Sequence, residues 1–210
     1  MRHIILSLIC LFSLAAFAQK TKSYKIGIIG FYNLENFYDT IDQPNVSDEE
    51  FTPNGPRHYN TSVYTDKIER LSDVLSKIGI EDSPDGLSMF GSAEIENESV
   101  LYDLVNSPKL KARNYKIVHY DSPDHRGVDV GLLYNPKHFT PIMSKPIALL
   151  IFNDGIRRYT RDVLYVKGLL DSDTVHIMVN HWPSRGGGEA KTAPSRNSGA
   201  QLCRNVVDSV

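Results

Sequence analysis

The residues best suited to chemistry are polar side chains that follow apolar, strand-like stretches. Glu94 comes at the end of one such stretch, and Asn33 and Glu35 follow another. Carboxylate and amide oxygens are hard ligands that suit Mg²⁺, Mn²⁺ or Ca²⁺ better than zinc. The sequence has neither a cysteine cluster nor an HExxH spacing that would favour zinc. These residues therefore predict a site for a divalent cation that prefers oxygen ligands.

A second set of residues carries positive charge and hydrogen-bond donors. Arg126 lies in a polar loop, and His181 and Arg185 lie in a loop that ends in Gly186–Gly188. Guanidinium, imidazole and backbone N–H groups of this kind suit a phosphate. A divalent cation beside phosphate donors can hydrolyse a phosphate ester. Arg126 also has a structural interpretation, as the surface partner of a neighbouring aspartate such as Asp124.

The other candidates have structural interpretations as well, which the sequence leaves open. Asn33 could hydrogen-bond within the turn that follows it, as asparagine often does. Glu94 and Glu96 precede a helix, whose N-terminal end favours carboxylates. His181 could be a partly buried histidine with satisfied hydrogen bonds, and the glycines after it could form a flexible loop tip.

The position of the histidine loop is set by the stretch Thr174–Gly188. Val175, Ile177 and Val179 alternate with more polar residues, which is the pattern of a half-buried strand. The strand then gives way to a cationic, glycine-rich loop, and such loops at the ends of rigid strands commonly carry functional residues. We therefore predict that His181 lies at a strand end beside a phosphate, where other strand ends converge on it.

The rest of the chain predicts alternating strands and helices. The predicted strands are Tyr24–Asn33, Leu87–Ile95, Tyr115–Tyr120, Val128–Tyr134, Arg161–Leu170 and Thr174–Asn180, with one or two more within Phe139–Phe152. The predicted helices are Thr65–Gly79, Glu98–Asn106 and about Ala193–Val210. We expect the last helix to turn Leu202, Val206 and Val207 inward, and Asp39–Tyr59 to be a long loop. This order favours a layered α/β or α+β fold with much antiparallel pairing.

The N-terminus predicts export. A basic start, a short apolar run and the motif Ala16-Phe17-Ala18 are typical of a secretory signal peptide, so we expect residues 1–18 to be removed. The remaining domain, 19–210, would be periplasmic or extracellular and would not insert stably into a membrane. The formal net charge of the chain is −2, so there is no general basic footprint for nucleic acid.

Four stretches in order closely resemble the endonuclease/exonuclease/phosphatase superfamily, and its exported bacterial members in particular. They are Phe31–Asp39 (FYNLENFYD), Ala93–Val105 (AEIENESVLYDLV), Arg126–Tyr134 (RGVDVGLLY) and Asn180–Gly188 (NHWPSRGGG). The resemblance covers nearly all of 19–210. It implies a two-sheet α/β sandwich with the active site at one edge, between the sheets.

The resemblance also implies roles for individual residues. Glu94 matches the metal-binding glutamate of the family, and Asn33 matches an asparagine that contacts metal or phosphate. Glu35 lies where some members have a second acidic residue. His181 matches the histidine that stabilises the phosphoryl oxygen during attack. The phosphate contacts would be Arg126, which could also brace its loop, Asn180 and Arg185.

The implied activity is Mg²⁺-dependent hydrolysis of a phosphate ester by an activated water, as in an endonuclease or related phosphodiesterase. The sequence has neither the GDFN-like nor the SDH-like motif that the family places further on, so the resemblance implies that a C-terminal part of the domain is missing. The alternative is therefore a catalytically inactive fragment or binding remnant. Apolar faces left uncovered would permit self-association. The sequence does not distinguish among DNA, RNA, lipid and inositol phosphate substrates.

Overall fold

A computed structural model describes residues 24–210. The predicted signal peptide, residues 1–18, lies outside the described residues. None of the helices within 24–210 combines the length and apolarity needed to cross a membrane.

The described chain contains nine strands and three α-helices. The strands are β1 (Ile29–Phe37), β2 (Met89–Ile95), β3 (Lys116–His119), β4 (Asp129–Tyr134), β5 (Phe139–Ile147), β6 (Ile151–Asn153), β7 (Ile156–Arg158), β8 (Val163–Leu170) and β9 (Asp173–Val179). The helices are α1 (Thr61–Lys77), α2 (Glu98–Val105) and α3 (Glu189–Ser209), with short 3-10 turns at Glu49–Phe51 and Lys111–Arg113.

The strands form two main sheets and a hairpin. The first sheet has the order β1-β2-β4-β3, in which β1 and β2 are parallel and the other pairs are antiparallel. The second sheet, β5-β8-β9, is entirely antiparallel, and β6 and β7 form a separate hairpin. The predicted layered fold with much antiparallel pairing is confirmed, and β1 and β2 add one parallel pair.

The alternating side chains of β4 show how the layers pack. Val130 and Leu132 point into a core shared with the second sheet, where they join Val166 and Val179. Leu133 points the other way, into a core shared with the helices. The first sheet is therefore covered by helices on one face and by the second sheet on the other, which confirms the predicted two-sheet α/β sandwich.

Several boundaries differ from the predicted ones for local reasons. Helix α1 begins at Thr61 because the Asn60 side chain accepts hydrogen bonds from the two N–H groups of Ser62 and Val63. The predicted loop Asp39–Tyr59 is better packed than its sequence suggests. The ring of Tyr38 stacks on that of Phe51, which lies within this segment, with centroids 4.1 Å apart.

The prediction for the last helix is wrong at one position. Val207 is 53% exposed, whereas Leu202 and Val206 are half-buried. Residues five apart on a helix point about 140° away from each other, so Leu202 and Val207 cannot share a face.

One face of strand β1 is left uncovered by the rest of the described chain. Its residues Ile29 and Phe31 are 62% and 57% exposed.

Candidate active site

The ends of β1 and β2 lie side by side and both are irregular. Asn33 is aligned with Ala93, and the register then slips before Phe37 meets Ile95. Glu94 lies in this irregular segment with a φ of 57°, which is the left-handed region that non-glycine residues rarely adopt. Backbone strain of this kind is concentrated at functional sites. Glu94 therefore lies at the C-terminal end of β2, next to the end of β1.

The Glu94 carboxylate is held from two sides. Its Oε2 accepts a hydrogen bond of 3.1 Å from the N–H of Asn36, and its Oε1 lies 3.1 Å from Nε2 of His181. The turn that carries Asn36 is itself anchored, since Nζ of Lys67 donates to the carbonyls of Glu35 and Asn36 at 2.6 and 3.0 Å. Glu94 and His181, 87 positions apart in sequence, are therefore brought into direct contact.

The backbone of His181 is fixed by a buried arginine. Arg161 donates from Nε and Nη2 to the carbonyl of His181 at 3.1 and 2.8 Å, and from Nη2 to the carbonyl of Trp182 at 3.2 Å. Its Nη1 donates to Oδ2 of Asp124 at 2.9 Å, and the side chains of this ion pair are only 8% and 3% exposed. The other Asp124 oxygen, Oδ1, accepts from the backbone N–H and Nε of Arg126 at 3.0 and 3.3 Å. One buried ion pair thus joins the histidine loop to the Arg126 loop.

The charges around these groups set their protonation. Burial opposes the ionisation of Asp124, but hydrogen bonds from Arg161 and Arg126 outweigh it and hold the pKa of Asp124 below its ordinary value. Burial lowers the pKa of His181, and the positive charge of Arg161 lowers it further, against the opposing influence of Glu94. His181 is therefore a neutral imidazole at neutral pH.

These groups line one cleft of about 420 Å³ between the two sheets. Four of the predicted residues, Asn33, Glu94, Arg126 and His181, lie in its wall. The full lining consists of Asn33, Glu94, Asp124, His125, Arg126, Arg158, Tyr159, Thr160, Arg161, His181, Trp182, Pro183 and Ser184. The cleft therefore combines oxygen ligands for a cation with several positively charged side chains.

The other predicted site residues lie elsewhere. The Asn180 side chain is already engaged, because its Nδ2 donates to the Met178 carbonyl and its Oδ1 accepts from Nε1 of Trp182, both at 2.9 Å. Arg185 is largely exposed and lies 3.9 Å from Glu189. Glu35 takes part through its backbone, whose N–H donates to Oδ1 of Asn33 at 2.8 Å. We leave these three side chains out of the proposed site.

Sequence reasoning missed two residues that organise the cleft. Arg161 was included in a predicted strand, and Asp124 was considered only as a surface partner of Arg126. The available signal was the charged residue Arg161 at the start of a largely apolar strand, because an arginine that becomes buried there needs a partner. The identity of that partner depends on the fold, since 37 positions separate the two residues.

Two sets of residues could hold a metal. In the cleft, Oδ1 of Asn33 and the Glu94 oxygens each have one hydrogen-bond partner and a free lone pair, so they fit a hard cation. A second set, His119, Asp121 and Asp129, places ligand atoms within 4.8 Å of one another. That set lies outside the cleft lining.

Comparisons with known proteins agree with this architecture. The sequence model of the Endonuclease/Exonuclease/phosphatase family matches residues 28–210. A solved endonuclease/exonuclease/phosphatase from Bacteroides vulgatus is similar in fold, with a TM-score of 0.53 and 14% identity over 86% of this chain and 59% of that chain. The human Nocturnin catalytic domain, solved with a bound sulfate anion, has a TM-score of 0.46 and 14% identity over 68% of this chain and 52% of that chain. The chain thus spans less than two thirds of either structure. A search of curated proteins found no match.

Proposed function

Because the chain belongs to the endonuclease/exonuclease/phosphatase family, we propose that it carries the reaction cleft of a metal-dependent phosphodiesterase. Members of this family are typically hydrolases that act on phosphate esters, and they generally use a divalent metal. The finer assignment, to an exported endonuclease or related phosphodiesterase that uses Mg²⁺, is part of the proposal.

One observation carries the proposal: Asn33, Glu94 and His181 line a single cleft that is also rich in arginine. The three residues come from the ends of different strands, so only the fold brings them together. A carboxylate and an amide oxygen supply ligands for a hard cation, and the cationic side chains favour a phosphate beside it. This arrangement favours phosphate-ester hydrolysis over a purely structural role for each of the three residues, because separate structural roles would not require them to line the same cleft.

Each residue has a distinct proposed role. Asn33 and Glu94 would hold Mg²⁺, or Mn²⁺ or Ca²⁺ in its place, and the ion would offset the negative charge of the phosphate. His181 would donate a hydrogen bond from Nε2 to a non-bridging phosphate oxygen as charge develops there, once the cation takes over the Glu94 oxygen that Nε2 contacts at 3.1 Å in this structure. Arg126, whose side chain is 38% exposed at the cleft, orients the phosphate. Arg161 acts through the backbone, because it fixes the two carbonyls that follow β9.

The proposed partner is a phosphate-ester substrate, with a nucleic acid as one candidate. Arg158 lies in the cleft wall, and the guanidinium of the adjacent Arg157 lies 4.5 Å from the ring centroid of Tyr159, which is 53% exposed. Exposed cationic and aromatic side chains of this kind suit a polyanion with stacking bases. Self-association through the open face of β1 and export of the chain stay predictions.

The proposal is tested by assaying the purified gene product against DNA, RNA and bis(p-nitrophenyl) phosphate, with and without Mg²⁺. We expect Mg²⁺-dependent hydrolysis that EDTA abolishes and that Glu94→Gln reduces by about 10³-fold, because the variant loses an anionic metal ligand. Glu98→Gln is the matched control, since Glu98 is exposed and lies outside the cleft lining. A folded protein that hydrolyses none of these substrates with Mg²⁺, Mn²⁺ or Ca²⁺ would rule the proposal out.

A further inference from the structure

Two carboxyl groups outside the cleft are buried and only half satisfied. Glu96 is 3% exposed and Asp48 is 1% exposed. One oxygen of each is used, because Glu96 Oε2 accepts from the N–H of Asp39 at 2.6 Å and Asp48 Oδ2 accepts from the N–H of Gln43 at 3.1 Å. The remaining oxygens, Oε1 of Glu96 and Oδ1 of Asp48, are buried and have no hydrogen-bond donor among residues 24–210.

The two carboxyl groups face each other. Asp48 and Glu96 lie within hydrogen-bonding reach of each other, and burial, with the nearby charge of Asp39, raises the pKa of Glu96 to about 8. Either a shared proton or a cation could therefore occupy the space between the two vacant oxygens. Burying one carboxylate without a partner costs several kcal/mol by solvation arguments, and burying two side by side costs more. Buried polar atoms in proteins are nearly always paired. The vacant oxygens therefore indicate a positive species between the two groups.

We propose that Asp48 and Glu96 bind a divalent cation, of which Ca²⁺ fits best, at a site separate from the cleft. The two ligands are carboxylate oxygens, which excludes a preference for softer metals. Asp48 lies in the irregular segment 39–59, and Glu96 is the residue directly after β2. Ligands from such irregular backbone suit Ca²⁺, which accepts irregular coordination, better than Mg²⁺, which requires a near-ideal octahedron. Two carboxylates also match the charge of one divalent ion.

The position of this site gives it a consequence for the cleft. It would join the segment 39–59 to the chain two residues after Glu94. From that segment the contacts continue to the cleft wall, since the N–H of Ser47 donates to the carbonyl of His125 at 2.8 Å. The hydroxyl of Tyr38 likewise donates to the carbonyl of Arg126 at 2.7 Å. Ca²⁺ at this site would therefore stabilise one wall of the cleft without contacting substrate.

The test is to titrate the full chain with Ca²⁺ by calorimetry and to follow its melting temperature. Glu94→Gln is the background throughout, because it weakens any binding in the cleft. We expect this protein to retain one Ca²⁺ and to melt at a higher temperature with Ca²⁺ than with EDTA. Adding Asp48→Asn or Glu96→Gln should weaken the binding by about tenfold or more and abolish the shift, since one of two buried anionic ligands is lost. Adding Glu49→Gln, an exposed change in the same segment, should alter neither result.

Two results would overturn the proposal. One is that the Glu94→Gln protein binds no Ca²⁺. The other is that Asp48→Asn leaves Ca²⁺ binding intact while stabilising the protein in EDTA, as expected if the two carboxyls merely share a proton. If the Asp48 and Glu96 variants do not fold, Tb³⁺ luminescence excited through nearby tyrosines such as Tyr38 decides in the Glu94→Gln protein, with the exposed change Asp121→Asn added to disable the other candidate metal set. A Tb³⁺ signal that Ca²⁺ displaces supports the site, and its absence contradicts it.

Discussion

Among residues 24–210, two of the groups in which a histidine contacts a carboxylate lie at opposite ends of the strands: the pair His181–Glu94 in the cleft and a group around His138. In the second group, which we call the His138 cluster, Nε2 and Nδ1 of His138 lie 3.2 Å from Asp85 and 3.2 Å from Asp171. Each of these aspartates also has its own lysine, Lys137 at 2.7 Å and Lys25 at 3.2 Å. The cluster follows the end of β4, whereas the cleft lies before its start.

The two groups have similar compositions but differ in charge balance and backbone. Every carboxylate of the His138 cluster is matched by a lysine and shares the histidine, so little capacity remains for a ligand. In the cleft, the carboxylates of Glu94 and Asp124 face three arginines, and Glu94 has a left-handed backbone. Residue types alone would not distinguish a site from a surface network. The cleft differs from the His138 cluster in three ways: it has more positive than negative side chains, it is concave, and its backbone is strained at Glu94.

The largest expected difference between the two groups is in activity. His181→Asn should lower kcat/KM for bis(p-nitrophenyl) phosphate by about 10³-fold, since a positioned donor to the developing oxyanion is lost. His138→Asn should change it by less than about twofold, because that cluster touches no substrate. Steady-state assays with Mg²⁺, on variants shown to be folded by circular dichroism, measure both values. Equal losses would remove the functional distinction between the groups.

The next largest effect is on stability. Arg161→Met leaves the buried Asp124 carboxylate without its main partner, which should lower the free energy of unfolding by about 3–5 kcal/mol. Lys137→Met removes a lysine that is 68% exposed from the His138 cluster, and should leave that free energy unchanged within error. Urea denaturation of both variants measures the difference. A small loss for Arg161→Met would mean that the buried pair does not hold the cleft together.

Arg161→Met should also change how the free energy of unfolding depends on pH, which a general loss of packing would not do. The pKa of Asp124 is depressed in the folded chain, so this group contributes stability above its ordinary pKa and loses it as the pH falls through the folded value. Without Arg161, burial becomes the dominant influence and raises the pKa of Asp124. In the variant, protonation of Asp124 would then favour the folded state instead of opposing it. Arg161→Met should therefore lose less free energy of unfolding than the wild type when the pH is lowered. Adding Asp124→Asn to this variant should recover part of the lost stability.

Sequence patterns predicted the layers of the fold because burial is periodic along each strand and helix. They also predicted Asn33, Glu94 and His181, since polar residues directly after apolar strands are visible in one dimension. They did not predict Arg161–Asp124 as a pair, because no local pattern marks two residues that meet only after both sheets form. The vacant oxygens of Asp48 and Glu96 were hidden for the same reason. From sequence, Glu96 had only the open interpretation that it favours the helix N-terminus, whereas its burial depends on how the segment 39–59 folds over it.

The smallest expected effect is that of Arg158, which should contribute to substrate affinity but not to the chemical step. Arg158 belongs to the fully exposed strand β7 yet lies in the cleft wall. Arg158→Ala should raise KM for an oligonucleotide by about tenfold and reduce the salt dependence of binding by about one unit of slope. It should leave kcat for bis(p-nitrophenyl) phosphate nearly unchanged. Lys137→Ala removes another exposed charge, at the opposite end of the strands, and should change neither value. Because an exposed charge is screened by salt, its effect on a polyanion should fade at high ionic strength, whereas the loss in His181→Asn should persist. Equal losses on both substrates would instead place Arg158 at the reacting phosphate.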